Sequence, residues 1–152
     1  MTRILVTGMS GTGKSAVAGE LRRRGFDVID TDRDAHRIAD DGEWLWDEVV
    51  VAAFLSADTP DARFVIGSAS NQVAFYDRFD HIALLTASTD VMIERIRTRT
   101  SNPFGKSDGE MAKVLSDKET FEPMMRRAAH SVIDTDRPLT DVVDEVVAAC
   151  LS

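Results

Sequence analysis

The sequence predicts a three-layer α/β/α sandwich built on a five-stranded parallel sheet. Three observations lead there. Short β-rich runs alternate with helical runs along the chain, the pattern of parallel strands joined by crossover helices. A glycine-rich segment, Gly8-Met9-Ser10-Gly11-Thr12-Gly13-Lys14-Ser15, stands between the first strand and the first helix. The 152 residues, 43% of them hydrophobic, suffice for one core and leave little room for a second, so a single domain over 1–152 is expected.

Residues 4–7 read as a buried first strand, Ile-Leu-Val-Thr. A helix over 14–24 follows, with Val17 and Leu21 four apart on one face, and Gly25 stops it. The second strand covers 26–29 and ends in Asp30-Thr31-Asp32. Helices are predicted over 33–39 and 44–55, separated by Asp40-Asp41-Gly42. The third strand is 63–66, ending at Gly67-Ser68-Ala69-Ser70, and the fourth is 82–85. Ser88-Thr89-Asp90 opens a helix that carries Met92, Ile93 and Ile96 and ends near Arg99. Residues 100–109 include Asn, Pro and two Gly and read as a loop. A helix kinked at Pro123 then runs to about Ala129. Its Met124-Met125 and Arg126-Arg127 pairs mark buried and solvated sides and are assigned no chemistry. The fifth strand is 131–134, and a closing helix over 140–151 lines up Val142, Val143, Val146 and Val147. Ligands in such folds sit beyond the carboxyl ends of the strands.

Composition narrows the partners. The net charge is −8 and the pI about 4.8, a poor basis for the counterion release that drives nonspecific nucleic-acid binding. The longest apolar stretches, such as 49–55, are far too short to span a bilayer, so no membrane partner is expected. Cys150 is the only cysteine and His36, His81 and His130 are scattered, which leaves no thiolate or histidine metal cage. No signal peptide is expected ahead of the motif, and a reducing, cytoplasmic setting fits. A monomer or weak homodimer is expected.

The glycine-rich segment matches G-x-x-x-x-G-K-[ST] at every specified position and has strand before and helix after. Its glycines let backbone N–H groups converge on an anion, and the helix adds its positive end. Gly8, Ser10, Gly11, Thr12, Gly13, Lys14, Ser15 and Ala16 are therefore the expected nucleotide cradle. Lys14 reaches the β- and γ-phosphates, and the Ser15 hydroxyl ligates Mg²⁺. ATP and Mg²⁺ are the expected cofactors. The rival readings are a turn that binds nothing and a nucleotide site without transfer chemistry.

Asp30 and Asp32 are expected beside this loop. In an extended segment, residues two apart share a face, so both carboxylates would point into the cleft. One would hold Mg²⁺ and the other accept a proton from an attacking hydroxyl. The alternative makes Asp32 a helix N-cap, with Asp34 in that helix's first turn.

These residues resemble the small P-loop metabolite kinases of the shikimate kinase and nucleoside monophosphate kinase superfamily. The resemblance covers most of the chain: the phosphate loop, residues 28–32, the arginine-bearing helix and lid, and the tail from Ser131. Ile29-Asp30-Thr31-Asp32-Arg33-Asp34-Ala35-His36 also looks like dephospho-coenzyme A kinase. The whole chain is similar to a group of bacterial ATP-binding proteins with a Thr/Ser-Asn-Pro-Phe-Gly-Lys lid, here 101–106. The resemblance implies strand order 2-3-1-4-5, a small mobile lid around 99–109, Asp30 in the magnesium shell and Asp32 on the acceptor hydroxyl. It places the adenine against the loop around 135–138, hence Arg137 and Pro138. Arg95 and Arg99, four apart on one helix face, would approach the nucleotide, with Arg99 stabilising the transferring phosphoryl. Arg97 or Lys106 could instead supply that cation or belong to a solvated face.

The acceptor is expected among Asp32, Arg37, Trp44, Asn71 and Tyr76, with Gln72 and Trp46 nearby. Shikimate kinases carry an Arg where Asp47 stands, another where Phe121 stands, and Gly-Gly-Gly where Gly67-Ser68-Ala69 stands. An Asp for a carboxylate-binding Arg reverses the charge offered to the acceptor, so the acceptor is not shikimate. The expected activity is transfer of the γ-phosphoryl of Mg·ATP to a small-molecule hydroxyl. The alternatives are a nucleotide or dephospho-coenzyme A kinase, which needs further acceptor-side cations beyond Arg33 and Arg37, and a non-catalytic ATP-binding module.

Overall fold

The computed structural model describes residues 2–58, 61–100 and 104–151. Strands β1 (Arg3–Thr7), β2 (Asp27–Asp30), β5 (Arg63–Ile66), β6 (His81–Thr86) and β7 (Ser131–Asp134) form one parallel sheet in the order β2-β5-β1-β6-β7. In chain order these are the five expected strands, arranged 2-3-1-4-5. Between them lie α1 (Lys14–Arg23), α2 (Thr31–Asp34), β3 (His36–Ile38), β4 (Trp44–Trp46), α3 (Glu48–Ser56), a 3₁₀ helix (Ser70–Arg78), α4 (Thr89–Thr98) and α5 (Asp108–Ala128); α6 (Leu139–Leu151) closes the chain.

The central strands are covered on both faces, which is why they read as unbroken apolar runs. Ile4, Val6, Phe64, Ile66 and Leu85 pack with Val17 and Leu21 of α1 and Val142, Val143 and Val146 of α6. Leu5, Val65 and Ile82 point the other way, onto Trp46, Val51, Leu55, Phe75 and Phe79. A third cluster, Met9, Ala87, Met92, Ile96 and Val114, joins the phosphate loop to α4 and α5. Cys150 is buried within the first cluster, where desolvation pushes its thiol up to about 12. α5 is one helix through Pro123. Residues 101–103 of the expected lid lie outside the described residues.

The structure corrects the helix predicted over 33–39 and the first residues of the one predicted over 44–55, whose remainder is α3. The Asp30 carboxylate accepts the Asp32 N–H and starts a single turn of helix at Thr31, which ends at Ala35. Residues 36–38 and 44–46 then pair antiparallel, His36 opposite Trp46 and Ile38 opposite Trp44. Asp40-Asp41-Gly42 is the hairpin turn, closed by Ala39 N–H to Glu43 O and Gly42 N–H to Ala39 O, both 2.8 Å. Asp47 caps α3 by accepting the Val49 and Val50 N–H groups. Turn chemistry and aromatic strand preference thus overrode an apparent helical period. The 3₁₀ helix over Ser70–Arg78 was not anticipated; Gln72 opens it by accepting the Ala69 N–H.

β2 and β5 are locked together at their carboxyl ends. The Thr31 hydroxyl donates to the Ile66 carbonyl at 3.2 Å. A Cβ on Gly67, whose φ is +151°, would lie 1.8 Å from the Thr31 hydroxyl oxygen. Gly67→Ala is therefore expected to destabilise the protein by about 1–3 kcal/mol, read as a lower denaturant midpoint. An unchanged midpoint would show that this contact does not constrain the fold.

Candidate functional site

The glycine-rich loop leaves the carboxyl end of the central strand β1 and turns into α1. Gly11 and Gly13 sit at φ +83° and +94°, conformations that a side chain would strain. α1 has no side-chain cap and no acid in its first turn. Its leading N–H groups are thus left to an external anion. The Thr12 hydroxyl braces the loop on the Met9 carbonyl at 2.7 Å.

Lys14 folds over the loop, its Nζ donating to the carbonyls of Gly8 at 2.7 Å and Met9 at 3.0 Å. Burial lowers its pKa, Asp32 and Asp30 oppose that shift, and Arg99 adds to it. These four charges share one field. Lys14, Asp32 and Arg99, but not the buried Asp30, border a cleft of about 370 Å³ lined also by Ser10, Ser15 and Arg95, with Gly11, Gly13 and Ala16. Gly8 stands behind it, against the Leu85 carbonyl.

The two aspartates differ from their expected arrangement. They do not share one face of a strand, because the helix turn begins between them. Asp30 is 4% exposed and spends one oxygen on the Asp32 N–H, while Asp32 is exposed and lines the cleft. Burial, and then the Asp32 charge, push the Asp30 carboxyl above its usual range.

Arg95 is held by three acceptors. Its guanidinium donates to the Thr135 carbonyl at 2.5 Å, the Thr135 hydroxyl at 2.8 Å and the Gly11 carbonyl at 3.3 Å. Thr135, itself 2% exposed, lies within hydrogen-bond distance of the Thr12 and Thr86 carbonyls, at 2.9 and 3.0 Å. This knot ties the phosphate loop to the ends of β6, β7 and α4. Beside it is a recess of about 100 Å³ bounded by Ala16, Val17, Arg95, Thr135, Arg137 and Leu139. Pro138 is not on its wall; its carbonyl accepts the Val142 N–H at the start of α6. Arg99 donates to the Phe104 carbonyl, and burial lowers its pKa against the pull of Asp32. Thr98 also lines the cleft. Its sequence signal is the 95/98/99 spacing, which puts it on one helix face with Arg95 and Arg99. Arg97 is exposed, and Lys106 donates to its carbonyl at 3.0 Å.

The acceptor-side residues divide. Arg37 forms a two-pronged pair with Glu48, at 2.6 and 2.9 Å, which holds the Glu48 carboxyl at about 2. Asn71 accepts the Trp46 N–H and donates to the Trp46 carbonyl, both at 3.0 Å, so it anchors the hairpin. The Tyr76 hydroxyl accepts from Gln72 at 2.9 Å. Trp44 remains 44% exposed, stacked on His36 at 4.0 Å between ring centres. Trp46 is core, against Phe75. The Ser70 hydroxyl donates to Glu43, a second tie of the hairpin to the end of β5.

A parallel sheet of this order with the phosphate loop after its central strand defines a member of the P-loop kinase superfamily. The chain belongs to the AAA domain family, whose model matches residues 4–116. It is 33% identical over 118 residues to a dephospho-CoA kinase of Corynebacterium glutamicum, across 75% of this chain and 56% of that protein. It is 29% identical over 145 residues to a nucleotide-binding protein of Fervidobacterium nodosum, across 87% and 47%. The chain thus spans about half the length of the curated relatives it matches. Among solved structures it resembles a shikimate kinase from Acinetobacter baumannii in complex with shikimate, with TM-score 0.72, 17% identity, and 97% and 91% coverage of the two chains. At that identity the likeness speaks for the fold. Among the described residues, no helix is long and apolar enough to cross a membrane.

Two outcomes follow from the geometry. ATP with Mg²⁺ is expected to raise the melting temperature of the wild type and not of Lys14→Ala, measured by calorimetry. Equal stabilisation of the two would remove Lys14 from the phosphate site. Asn71→Ala is expected to cost about 1–3 kcal/mol in denaturant unfolding, because it strands both backbone groups of Trp46.

Proposed function

We propose that this protein is a Mg·ATP-dependent phosphotransferase that moves the γ-phosphoryl group to a hydroxyl of a small molecule other than shikimate. The observation that carries this reading is the single cleft in which the phosphate loop, Asp32 and Arg99 meet. A nucleotide-binding turn alone does not require a carboxylate facing its lysine. The adenine fits the recess between Ala16, Arg137 and Leu139, which leads into the cleft by way of Gly13 and Arg95.

In this reading Lys14 leaves its own loop carbonyls for the β- and γ-phosphate oxygens. Arg99, and through it the lid over 99–109, neutralises charge that builds on the transferring group. Ser15 and Asp30 would hold Mg²⁺, which when bound screens the β- and γ-phosphate charge from the attacking oxygen. Asp30 is 4% exposed and lies two residues from Asp32, which lines the cleft with Ser15. Among the described residues no three His, Cys, Asp or Glu side chains gather to hold a metal. Asp32 orients the acceptor hydroxyl and takes its proton. The hydroxyl oxygen forms the new bond to the γ-phosphorus, the bond to the bridging oxygen breaks, and ADP leaves with that electron pair.

The likeness to a dephospho-CoA kinase favours a second reading, an acceptor that is itself phosphorylated. It requires free acceptor-side cations, and Arg37 is engaged by Glu48. Inhibition by nucleoside monophosphates would support it.

Incubation with Mg·ATP and a pooled metabolite extract, with Lys14→Ala as blank, is expected to yield a Lys14-dependent species heavier by one phosphate. ATP binding with neither ADP nor product would favour a regulatory module. Asp32→Asn is expected to lower turnover ~10²–10⁴-fold while ATP still stabilises the protein. Unchanged turnover would exclude Asp32 as the base.

A further inference from the structure

The phosphate loop needs more than its glycines to hold its shape. Gly11 and Gly13 sit at positive φ, and glycine gives the flanking peptides several accessible basins rather than one. The orientation of each peptide plane is therefore set by what its polar groups bind. The Gly11–Thr12 peptide is fixed at both ends. Its carbonyl accepts from the Arg95 guanidinium at 3.3 Å, and its N–H, that of Thr12, donates to the Met9 carbonyl at 3.3 Å. The next peptide, Thr12–Gly13, has its carbonyl fixed from 123 residues away. The Thr135 hydroxyl donates to the Thr12 carbonyl at 2.9 Å.

Thr135 directly follows β7 and is buried. Arg95 donates to its hydroxyl oxygen at 2.8 Å. The Thr86 carbonyl lies 3.0 Å from the same oxygen but already receives the Thr135 N–H at 2.8 Å, which leaves the hydroxyl proton for Thr12. A hydroxyl has one proton to give, and an arginine on its acceptor side turns this one toward the loop. In a planar trans peptide the carbonyl and the following N–H point to opposite sides. With the Thr12 carbonyl turned to Thr135, the Gly13 N–H points away from it. Thr135 borders the recess beside Ala16 and not the cleft, whereas Gly13 borders both. The Gly13 N–H stands at the head of α1, which no side chain caps.

We infer that Thr135 is a positioning residue of the phosphate site: its hydroxyl orients the Thr12–Gly13 peptide so that the Gly13 N–H is presented to the phosphate oxygens of the nucleotide. This rests on the nucleotide site of the reading above and deepens it. Thr135 itself touches no phosphate. Its place on the recess wall suggests a contact with the base, but its bonds assign it to the phosphates, because its one proton is spent on the loop. Valine in its place keeps the outline of the side chain and removes the bond. The Thr12 carbonyl then loses its buried donor, and the glycine peptide is freer to turn. Serine keeps the hydroxyl.

The test compares Mg·ATP with magnesium tripolyphosphate, which offers the phosphates without the base, by titration calorimetry. Thr135→Val is expected to weaken both by the same factor, about five- to tenfold, and Thr135→Ser to stay within about twofold of the wild type. Weaker ATP binding with tripolyphosphate binding unchanged would put Thr135 on the base and overturn the inference. A lower denaturant midpoint with both affinities unchanged would make Thr135 a structural tie only, and overturns it as well. Where Thr135→Val does not fold, Thr135→Ala, which adds no methyl beside the Arg95 guanidinium, takes its place with the same expectation. Binding of neither ligand by the wild type would overturn the nucleotide site itself and the inference with it, a failure distinct from that of Thr135 alone.

Discussion

Everything in this molecule is arranged around a central strand that must be covered on both faces. β1 is four-fifths buried, flanked by β5 and β6, and each of its side chains is claimed by one layer or the other. Helices α1 and α6 close one face, and α3 with the 3₁₀ helix closes the other. The edge that cannot be closed is the carboxyl end. There the chain leaves the sheet through glycines and enters a helix whose first N–H groups have no side-chain cap. A buried parallel sheet thus delivers an anion site at its centre, and the acidic turn after β2 lies next to it because β2 runs parallel in the same sheet.

Hydrogen bonds between elements gather on one side of the site, and bonds within one segment on the other. On the nucleotide side, Thr135 and Arg95 join four elements with short hydrogen bonds, and Met92, Ile96 and Val114 pack beneath. After α4, Arg99 donates to the Phe104 carbonyl and Lys106 to the Arg97 carbonyl. Each is a charge-assisted bond to a neutral carbonyl. Lys14 is in the same position, bound to two carbonyls of the loop it belongs to.

The hairpin over His36–Ile38 and Trp44–Trp46 gives this chain its own character. It is short, and it is fastened by Asn71 and Glu43 rather than by a core of its own. Its turn carries the exposed Asp40 and Asp41. Trp46 anchors it in the core, and Trp44 is left outside.

The sequence by itself determined the sheet, the phosphate loop and the charged face of α4. Those features rest on local signals: apolar runs, a motif with fixed glycine spacing, and arginines four apart. Strand 63–66, strand 131–134 and the Ser88 cap of α4 fall where the residues alone place them. Tertiary structure decided the rest. Residues 36–46 form a hairpin rather than helix, and Asn71, 25 residues from Trp46, binds both backbone groups of Trp46. Asp30 and Asp32 parted because a cap begins a helix turn between them, so only Asp32 lines the cleft. Asn71 and Arg37, polar and well placed in the sequence, proved to be occupied by the protein itself. A sequence shows which side chains can bind a ligand; only the folded chain shows which of them its own backbone and neighbours have already claimed.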